Sequence, residues 1–213
     1  MLSHYFKIVL QLFVATWFSS ASAGAYEDFF RALEVDNAAT VSSLLQRGFD
    51  PNARDEKGQV ALYVAYRSGS LKVADALLQH PDTKIDLRNE AGESPMMMAA
   101  LRGQRDQVAR LLDRGVPPHH TGWSPIHYAA TAENGAPVVE LLLAKGAPAE
   151  ARSPNGSTPL MMAARYGSEA SVNILLAKGA DLKARNERDM GPADFARSVG
   201  RDALGARLEA LAR

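Results

Sequence analysis

The chain has 213 residues, of which 46% are apolar and 23% charged, and its 24 basic side chains are balanced by 24 acidic ones. The apolar content excludes a disordered chain, and the balanced charge argues against a nucleic-acid binder, which needs an excess of Lys and Arg to neutralise phosphates. The lack of cysteine excludes disulfides, thiolate metal sites, a catalytic thiol and a lipid-modified cysteine.

Residues 1–23 predict a secretory signal peptide. Lys7 precedes an apolar run over 8–15, Trp17 and Phe18 follow, and small residues then lead to Ala-Ser-Ala at 21–23. A cation, a short apolar stretch and an Ala-x-Ala ending are the parts of such a peptide. We expect cleavage after Ala23, with a second candidate site two residues later.

An uncleaved membrane anchor is the alternative interpretation of this segment. It is disfavoured because the apolar run is shorter than the roughly 20 residues that span a bilayer, and Gln11 interrupts it. An exported chain without cysteine needs no disulfide-forming environment. We therefore expect a periplasmic protein without stable membrane insertion after signal removal, and full secretion stays open.

A nine-residue sequence recurs along the rest of the chain. It is GSTPLMMAA at 156–164, GESPMMMAA at 92–100 and GWSPIHYAA at 122–130, with weaker copies at 58–65 and 189–196. Internal repeats of this kind decide the fold before any single motif does. The proline position of the five copies is occupied by residues 61, 95, 125, 159 and 192, at steps of 34, 30, 34 and 33.

A second recurrence, paired leucines followed closely by glycine, lies within the period at 44–48, 111–115, 141–146 and 175–179. Together the patterns resemble the ankyrin repeat, whose period is about 33 residues and whose T-P-L-H-x-A signature opens the first of two helices. The resemblance implies an all-α solenoid of helix-turn-helix units with short hairpin fingers. Over an ankyrin-repeat domain at 24–213, with polar first and last units as caps, six units are expected to start near residues 26, 55, 89, 119, 153 and 186.

The signature residues predict where the first helix of each unit begins and ends. The hydroxyls of Ser94, Ser124 and Thr158 are expected to cap helix N-termini. The proline after each fits the first helical position, where its missing N–H costs nothing. Gly103 and Gly167 are expected to end the first helices in the left-handed conformation, which glycine adopts easily.

Three departures from the period fall in loops. The segment 79–86 is one residue longer than usual, the finger at 116–121 is three residues shorter, and 133–136 carries one extra residue. Such changes in solenoids often lie on the binding face, and neutral variation in a surface loop is the alternative. The short finger is expected to leave a notch beside Trp123.

Other kinds of site are poorly supported. His119 and His120 are adjacent, which is poor spacing for one metal ion, and the resemblance implies that His127 braces backbone between units. The methionines at 96–98 and 161–162 fill apolar positions of the repeat, which favours core packing over copper binding. With no nucleophile elbow or phosphate-binding loop, we expect no enzyme activity, no metal and no cofactor.

The resemblance implies that the protein binds a partner protein through the finger tips and the solvent edge of the first helices. Aromatic and arginine residues, which dominate interface hot spots, are frequent at these positions. Trp123 is expected to anchor the partner; the alternative is that it folds onto Pro117 or Pro118 and fills the short finger. The predicted contact residues on this concave face are Trp123, Tyr166, Arg102, Arg165, Arg67, Leu101, Glu93, His120 and Met190.

Two classes of function remain. The favoured one is a non-catalytic periplasmic module that binds a protein as an adaptor, a helper or an immunity protein against a toxin. The alternative is a secreted effector acting on a host protein. A cleavable signal without a further targeting segment favours the first class, and we expect a monomer.

Overall fold

The computed structural model describes residues 23–213, which form twelve helices in six consecutive pairs. A short turn reverses the chain within each pair, and a longer loop leads to the next. This confirms the predicted all-α solenoid of helix-turn-helix units. The helices are α1 (23–34), α2 (Ala38–Gln46), α3 (Ala61–Ser68), α4 (Leu71–Gln79), α5 (Pro95–Leu101), α6 (Arg105–Asp113), α7 (Pro125–Thr131), α8 (Ala136–Ala144), α9 (Pro159–Tyr166), α10 (Glu169–Ala177), α11 (Pro192–Arg197) and α12 (Asp202–Leu211).

The predicted signal peptide at 1–23 lies outside the described residues except for residue 23, which belongs to α1. The peptide and its cleavage site therefore stay predictions. Within 23–213, no helix combines the length and the apolar content needed to cross a bilayer.

The helices stack in two layers. In the layer of first helices, α3 contacts α5, α5 contacts α7, α7 contacts α9 and α9 contacts α11. In the layer of second helices, α2 contacts α4, and α8 contacts both α6 and α10. Each pair thus packs on its sequence neighbours, which is the arrangement of a solenoid.

One apolar core runs through all six pairs, from Phe29 in α1 to Leu208 in α12. A single helix pair cannot bury both of its faces, so stacking creates the core. The alanine pairs of the signature, 99–100, 129–130 and 163–164, are fully buried, and their small side chains let neighbouring helices approach closely. Most signature methionines are also buried there, in agreement with the predicted packing role.

Tyr66 is a bulky exception to this small-residue rule. It stands in α3 at the position that the second alanine takes in the other signatures, and it is fully buried. Its hydroxyl has no hydrogen-bond partner among the described residues. Burial raises the pKa of this phenol well above its ordinary value, so it stays neutral.

Two of the three predicted hydroxyl caps are confirmed. Ser94 Oγ and Thr158 Oγ1 each accept a hydrogen bond of 3.3 Å from the backbone N–H three residues on. The prediction for Ser124 was wrong, because its hydroxyl makes no cap and pairs instead with His119 Nδ1 at 3.3 Å. The backbone N–H of Ser124 donates to His127 Nδ1 at 3.3 Å, and the backbone N–H of His127 donates to the carbonyl of Ser124 at 2.9 Å.

The two glycines that were predicted to end first helices do so for different reasons. Gly103 has φ +64°, the predicted left-handed conformation. Gly167 has φ −88° and ψ −177°, so the left-handed prediction was wrong there. A Cβ at Gly167 would lie 2.1 Å from the carbonyl oxygen of Ala130, so the neighbouring repeat leaves room only for glycine.

Four of the five loops between pairs form closed fingers. In each, the first tip residue donates its N–H to the carbonyl four residues on, at 2.9–3.1 Å: Asp55 to Gln59, Asn89 to Glu93, Ser153 to Ser157 and Asn186 to Met190. Residues 119–123, the equivalent positions at the short finger, make no such bond among the described residues. We call the face formed by the fingers and the first helices α3, α5, α7, α9 and α11 the groove.

Arg201, in the turn between α11 and α12, holds the end of α9. Its Nη1 lies 3.1, 2.9 and 2.8 Å from the carbonyl oxygens of Ala163, Ala164 and Gly167. These carbonyls stand at the C-terminus of α9, where the negative end of the helix dipole attracts a cation. The last helix pair therefore fixes the final turn of α9, which carries part of the groove.

Candidate protein-binding groove

A cleft of about 210 Å³ opens in the groove between the fourth and sixth pairs. It brings together four of the predicted contact residues: Trp123, Arg165, Tyr166 and Met190. They come from two fingers and from the last turn of α9, so the stacking of three pairs is needed to form the cleft. Its other lining residues are Asn155, Ser157, Met162, Asn186, Arg188 and Phe195.

Trp123 is held in place by two aromatic side chains of α7. Its ring packs edge-on against His127, with centroids 5.4 Å apart, and against Tyr128 at 6.3 Å. His127 is fixed in turn, because its Nε2 lies 3.1 Å from the carbonyl of Ala151 and 3.2 Å from that of Ser157. The predicted bracing role of His127 is thus confirmed, and the half-buried indole is presented to the cleft from a rigid base.

Arg165 and Tyr166 form the α9 side of the cleft. The Arg165 guanidinium carbon lies 5.0 Å from the centre of the Tyr166 ring, which is cation–π geometry. The side chain of Tyr166 is among the few large apolar ones that remain exposed, at 50%. The Nε of Arg165 is buried and has no hydrogen-bond partner among the described residues.

Arg67 lies elsewhere in the groove and is already paired. Its guanidinium donates to the side chain of Gln59 and lies 3.9 Å from Glu34 Oε1. It borders a separate depression of about 460 Å³ near α1, together with Tyr26 and Phe30. The structure therefore does not bring Arg67 to the cleft.

Glu93 is the centre of a hydrogen-bond network. Its carboxylate accepts bonds from Tyr63 at 2.8 Å, Tyr128 at 2.9 Å and Asn89 at 2.9 Å. Burial alone would raise the pKa of this carboxyl, but the three donors outweigh it and lower the pKa below its ordinary value. Glu93 thus joins three repeats, and its oxygens are already occupied.

His120 is turned away from solvent. Its side chain is 9% exposed and its Nε2 lies 3.8 Å from Asp86 Oδ1. Burial and the nearby charge of Arg88 lower the pKa of His120, although Asp86 acts in the opposite direction. As a contact residue His120 is a poor candidate, since the short finger places it against the preceding finger.

Leu101 and Arg102, at the end of α5, also lie outside the cleft. Leu101 is partly buried against the core. Arg102 is exposed beside the turn between α3 and α4, where its Nη2 would be 3.7 Å from a Cβ at Gly69. Neither side chain lines the cleft that contains Trp123.

The described residues contain no group of three or more His, Asp or Glu side chains arranged to hold a metal ion. The groove offers aromatic, thioether and guanidinium groups, which are the groups of a recognition surface.

A family model described as ankyrin repeats (3 copies) matches residues 29–121 and 96–186, which is more than half of the chain. The chain belongs to the ankyrin repeat family. Ankyrin repeats are protein–protein interaction modules, and the homologues are typically non-catalytic. The ankyrin fold of this chain therefore implies a protein partner.

Curated ankyrin proteins match parts of the chain. Human ankyrin repeat and SOCS box protein 3 is 35% identical over 189 residues, covering 70% of this chain and 36% of that protein. Human transient receptor potential cation channel subfamily A member 1 is 29% identical over 102 residues, covering 46% of this chain and 9% of the channel. The chain thus spans about a third or less of these relatives.

Two solved ankyrin-type structures match with a TM-score of 0.71. The human ASB11 ankyrin repeat domain is 27% identical, with 84% of this chain and 81% of that chain covered. The other is a chain from the complex of a predatory endopeptidase of Bdellovibrio bacteriovorus with an immunity protein. It is 28% identical, with 86% of this chain and 97% of that chain covered.

The ankyrin groove also contains residues that the sequence did not single out. Tyr63 stands at the histidine position of its repeat, and Tyr128 directly follows the histidine of its own. Those two positions are signals that sequence reasoning could have used. Met162 and Phe195 line the cleft but are largely covered, and the sequence alone marks them only as apolar helix residues.

Proposed function

We propose that this protein is a non-catalytic module of the bacterial periplasm that binds a partner protein in its groove. The observation that carries the proposal is the cleft beside Trp123. It combines a half-buried indole, an exposed tyrosine and an arginine whose Nε has no partner among the described residues. Tryptophan, tyrosine and arginine are the residues that contribute most binding energy at interfaces.

The periplasmic location rests on the signal sequence at 1–23. Its apolar run and its Ala-x-Ala ending support export with cleavage after Ala23. Fractionation of cells that express the full chain tests this part. A chain of reduced mass in the periplasmic fraction is expected, and an unprocessed chain in the cytoplasm would contradict it.

Among the adaptor, helper and immunity roles, we propose the immunity role. The likeness to a chain from an endopeptidase–immunity protein complex, over 86% of this chain, supports it. In such a role the groove would cover a peptidase or another toxic enzyme and keep its substrate out. A secreted effector acting on a host protein is the alternative, and the fractionation above separates the two.

The binding proposal is tested by affinity capture from envelope extract, followed by mass spectrometry. Wild type is expected to retain a specific protein that Trp123→Ala loses and Trp123→Phe partly keeps, because the smaller ring fills part of the site. Thermal unfolding of each variant controls for folding. If Trp123→Ala captures the same protein with equal affinity, the indole is not the anchor.

The immunity role makes a further demand on that partner. It should be a peptidase or another toxic enzyme whose activity falls when wild type is added and does not fall with Trp123→Ala. A captured partner that retains full activity in the complex would support an adaptor or helper role instead.

A further inference from the structure

Two groove arginines occupy equivalent positions in their repeats. Arg67 follows the residue that opens α3 by six positions, and Arg165 follows the residue that opens α9 by six. Each is the penultimate residue of its helix. Arg67 therefore shows how this position is satisfied within the protein, by the side chains of Gln59 and Glu34.

Arg165 lacks the counterparts of both partners. Ser157 stands at the finger position of Gln59, and it receives a hydrogen bond from Asn186 at 3.3 Å. Thr131, the last residue of α7, stands where Glu34 ends α1, and its hydroxyl donates to the carbonyl of His127 at 2.8 Å. Arg165 thus occupies the same repeat position as Arg67 but lacks the side-chain acceptors that Arg67 has in Gln59 and Glu34.

The Arg165 guanidinium is nevertheless held at the cleft. Tyr166 stacks on it, and its buried Nε–H donates to no acceptor among the described residues. A buried N–H without an acceptor costs free energy. A carboxylate that pairs with the Arg165 guanidinium offsets part of that cost through a charge-assisted hydrogen bond. Arg188 lines the cleft as a second cation, and the lining residues include no Asp or Glu.

The cleft is small, and four of its other lining residues are apolar. Trp123, Met162, Met190 and Phe195 contribute its apolar walls. Its volume of about 210 Å³ is below the range of roughly 300–1,000 Å³ that is usual for small-molecule pockets, which favours a single side chain as occupant. Three successive fingers contribute to it, so a segment that enters it also passes along the groove.

We infer that this cleft recognises a segment of the partner in which an Asp or Glu side chain pairs with Arg165 while a neighbouring aromatic or long aliphatic side chain fills the cleft. The inference rests on the proposed function and adds the chemistry of the partner. Charge complementarity supports it, because the cleft presents cations only. The carboxylate replaces the acceptors that Arg67 finds within its own chain.

The test uses the full chain with Trp17→Phe, which leaves Trp123 as its only tryptophan. The indole N–H resonance of Trp123 then reports binding without ambiguity. The probes are acetyl-Asp-Phe-amide, acetyl-Asn-Phe-amide and acetyl-Asp-Ala-amide, which differ only in the carboxylate or in the apolar side chain. A fourth probe, acetyl-Asn-Phe with a free C-terminus, moves the carboxylate to the chain end.

We expect the Asp-Phe probe to bind at least about fivefold more tightly than each of the others. Arg165→Met should abolish the preference of the protein for the Asp-Phe amide over the Asn-Phe amide, because methionine keeps an apolar stem and loses the charge. Arg67→Met is the matched control and should leave the preference unchanged. Equal affinity for all probes, failure of the Asp-Phe probe to shift the indole resonance, or an equal loss in both arginine variants would overturn the inference.

Two further outcomes separate this inference from the function on which it rests. If the probe with a free C-terminus binds more tightly than the Asp-Phe amide, the inference that the carboxylate belongs to an acidic side chain is wrong. If the carboxylate preference is missing while Trp123→Ala still loses a captured protein, the inference fails and the proposed function stands. If the preference is present but no protein is captured by wild type, the proposed function fails and the cleft chemistry stands.

Discussion

Tyr128 donates a hydrogen bond of 2.9 Å to Glu93 Oε1, although the two residues belong to different repeats and lie 35 positions apart. Tyr63, from the repeat on the other side, donates to the second oxygen of the same carboxylate at 2.8 Å. One carboxylate thus links three consecutive helix pairs on the floor of the groove.

Glu93→Gln is expected to lower the free energy of unfolding by about 2 kcal/mol at neutral pH. The amide removes the charge that strengthens all three hydrogen bonds and offers one acceptor oxygen in place of two. Urea unfolding followed by circular dichroism measures the change. Glu90→Gln, in the exposed tip of the same finger, is the control and should change stability by less than about 0.5 kcal/mol.

The contribution of Glu93 should depend on pH. Because the pKa of Glu93 in the folded protein is lowered below its ordinary 4.5, its ionised form stabilises the fold above that value. This stability is lost as the pH falls through the folded pKa. The difference in stability between wild type and Glu93→Gln should therefore be constant near neutral pH and shrink in acid, and a difference that grows in acid would contradict the network.

Tyr66→Phe is expected to keep the stability of the protein or to raise it by about 1 kcal/mol. The buried hydroxyl has no partner among the described residues, so its removal relieves a desolvation penalty and leaves the ring packing intact. Tyr63→Phe, in the same helix, deletes a hydroxyl that is bonded to Glu93 and should lower stability by about 1 kcal/mol. Loss of stability in both variants to the same extent would show that Tyr66 has a partner.

Gly167→Ala is expected to destabilise the protein by about 3 kcal/mol, because the new methyl group would overlap the carbonyl of Ala130. Its backbone angles are accessible to alanine, so the loss is steric. Gly115→Ala is the matched control. Gly115 has φ +88° and open space around it, so only backbone strain of about 1 kcal/mol is expected. Thermal unfolding ranks the two variants.

The period and the signature were enough to predict the helix pairs, because each signature carries its own start and stop signals. Ser94 and Thr158 cap as predicted, since an N-cap bond spans only three residues. Ser124 differs because the short finger brings His119 within reach of its hydroxyl. That contact depends on the path of the loop, which the sequence pattern does not contain.

The candidate site was predicted less completely than the fold. Trp123 and Tyr166 meet at one cleft because fingers and first helices recur in register. Arg67 and Arg165, in contrast, have the same position and different surroundings, and the difference depends on the residues of neighbouring repeats. His120 is covered for a similar reason, since Asp86 belongs to the preceding finger.

The contacts of Arg201 give the last helix pair a double role. This pair contributes Phe195 to the cleft, directly follows the finger that contributes Met190, and tethers the turn of α9 that presents Arg165. Partner binding and folding stability therefore depend on the same residues in this helix pair. Repeats could be gained or lost near α2 and α4 with less effect on specificity, whereas exchange of the α11–α12 pair would retune affinity and stability together.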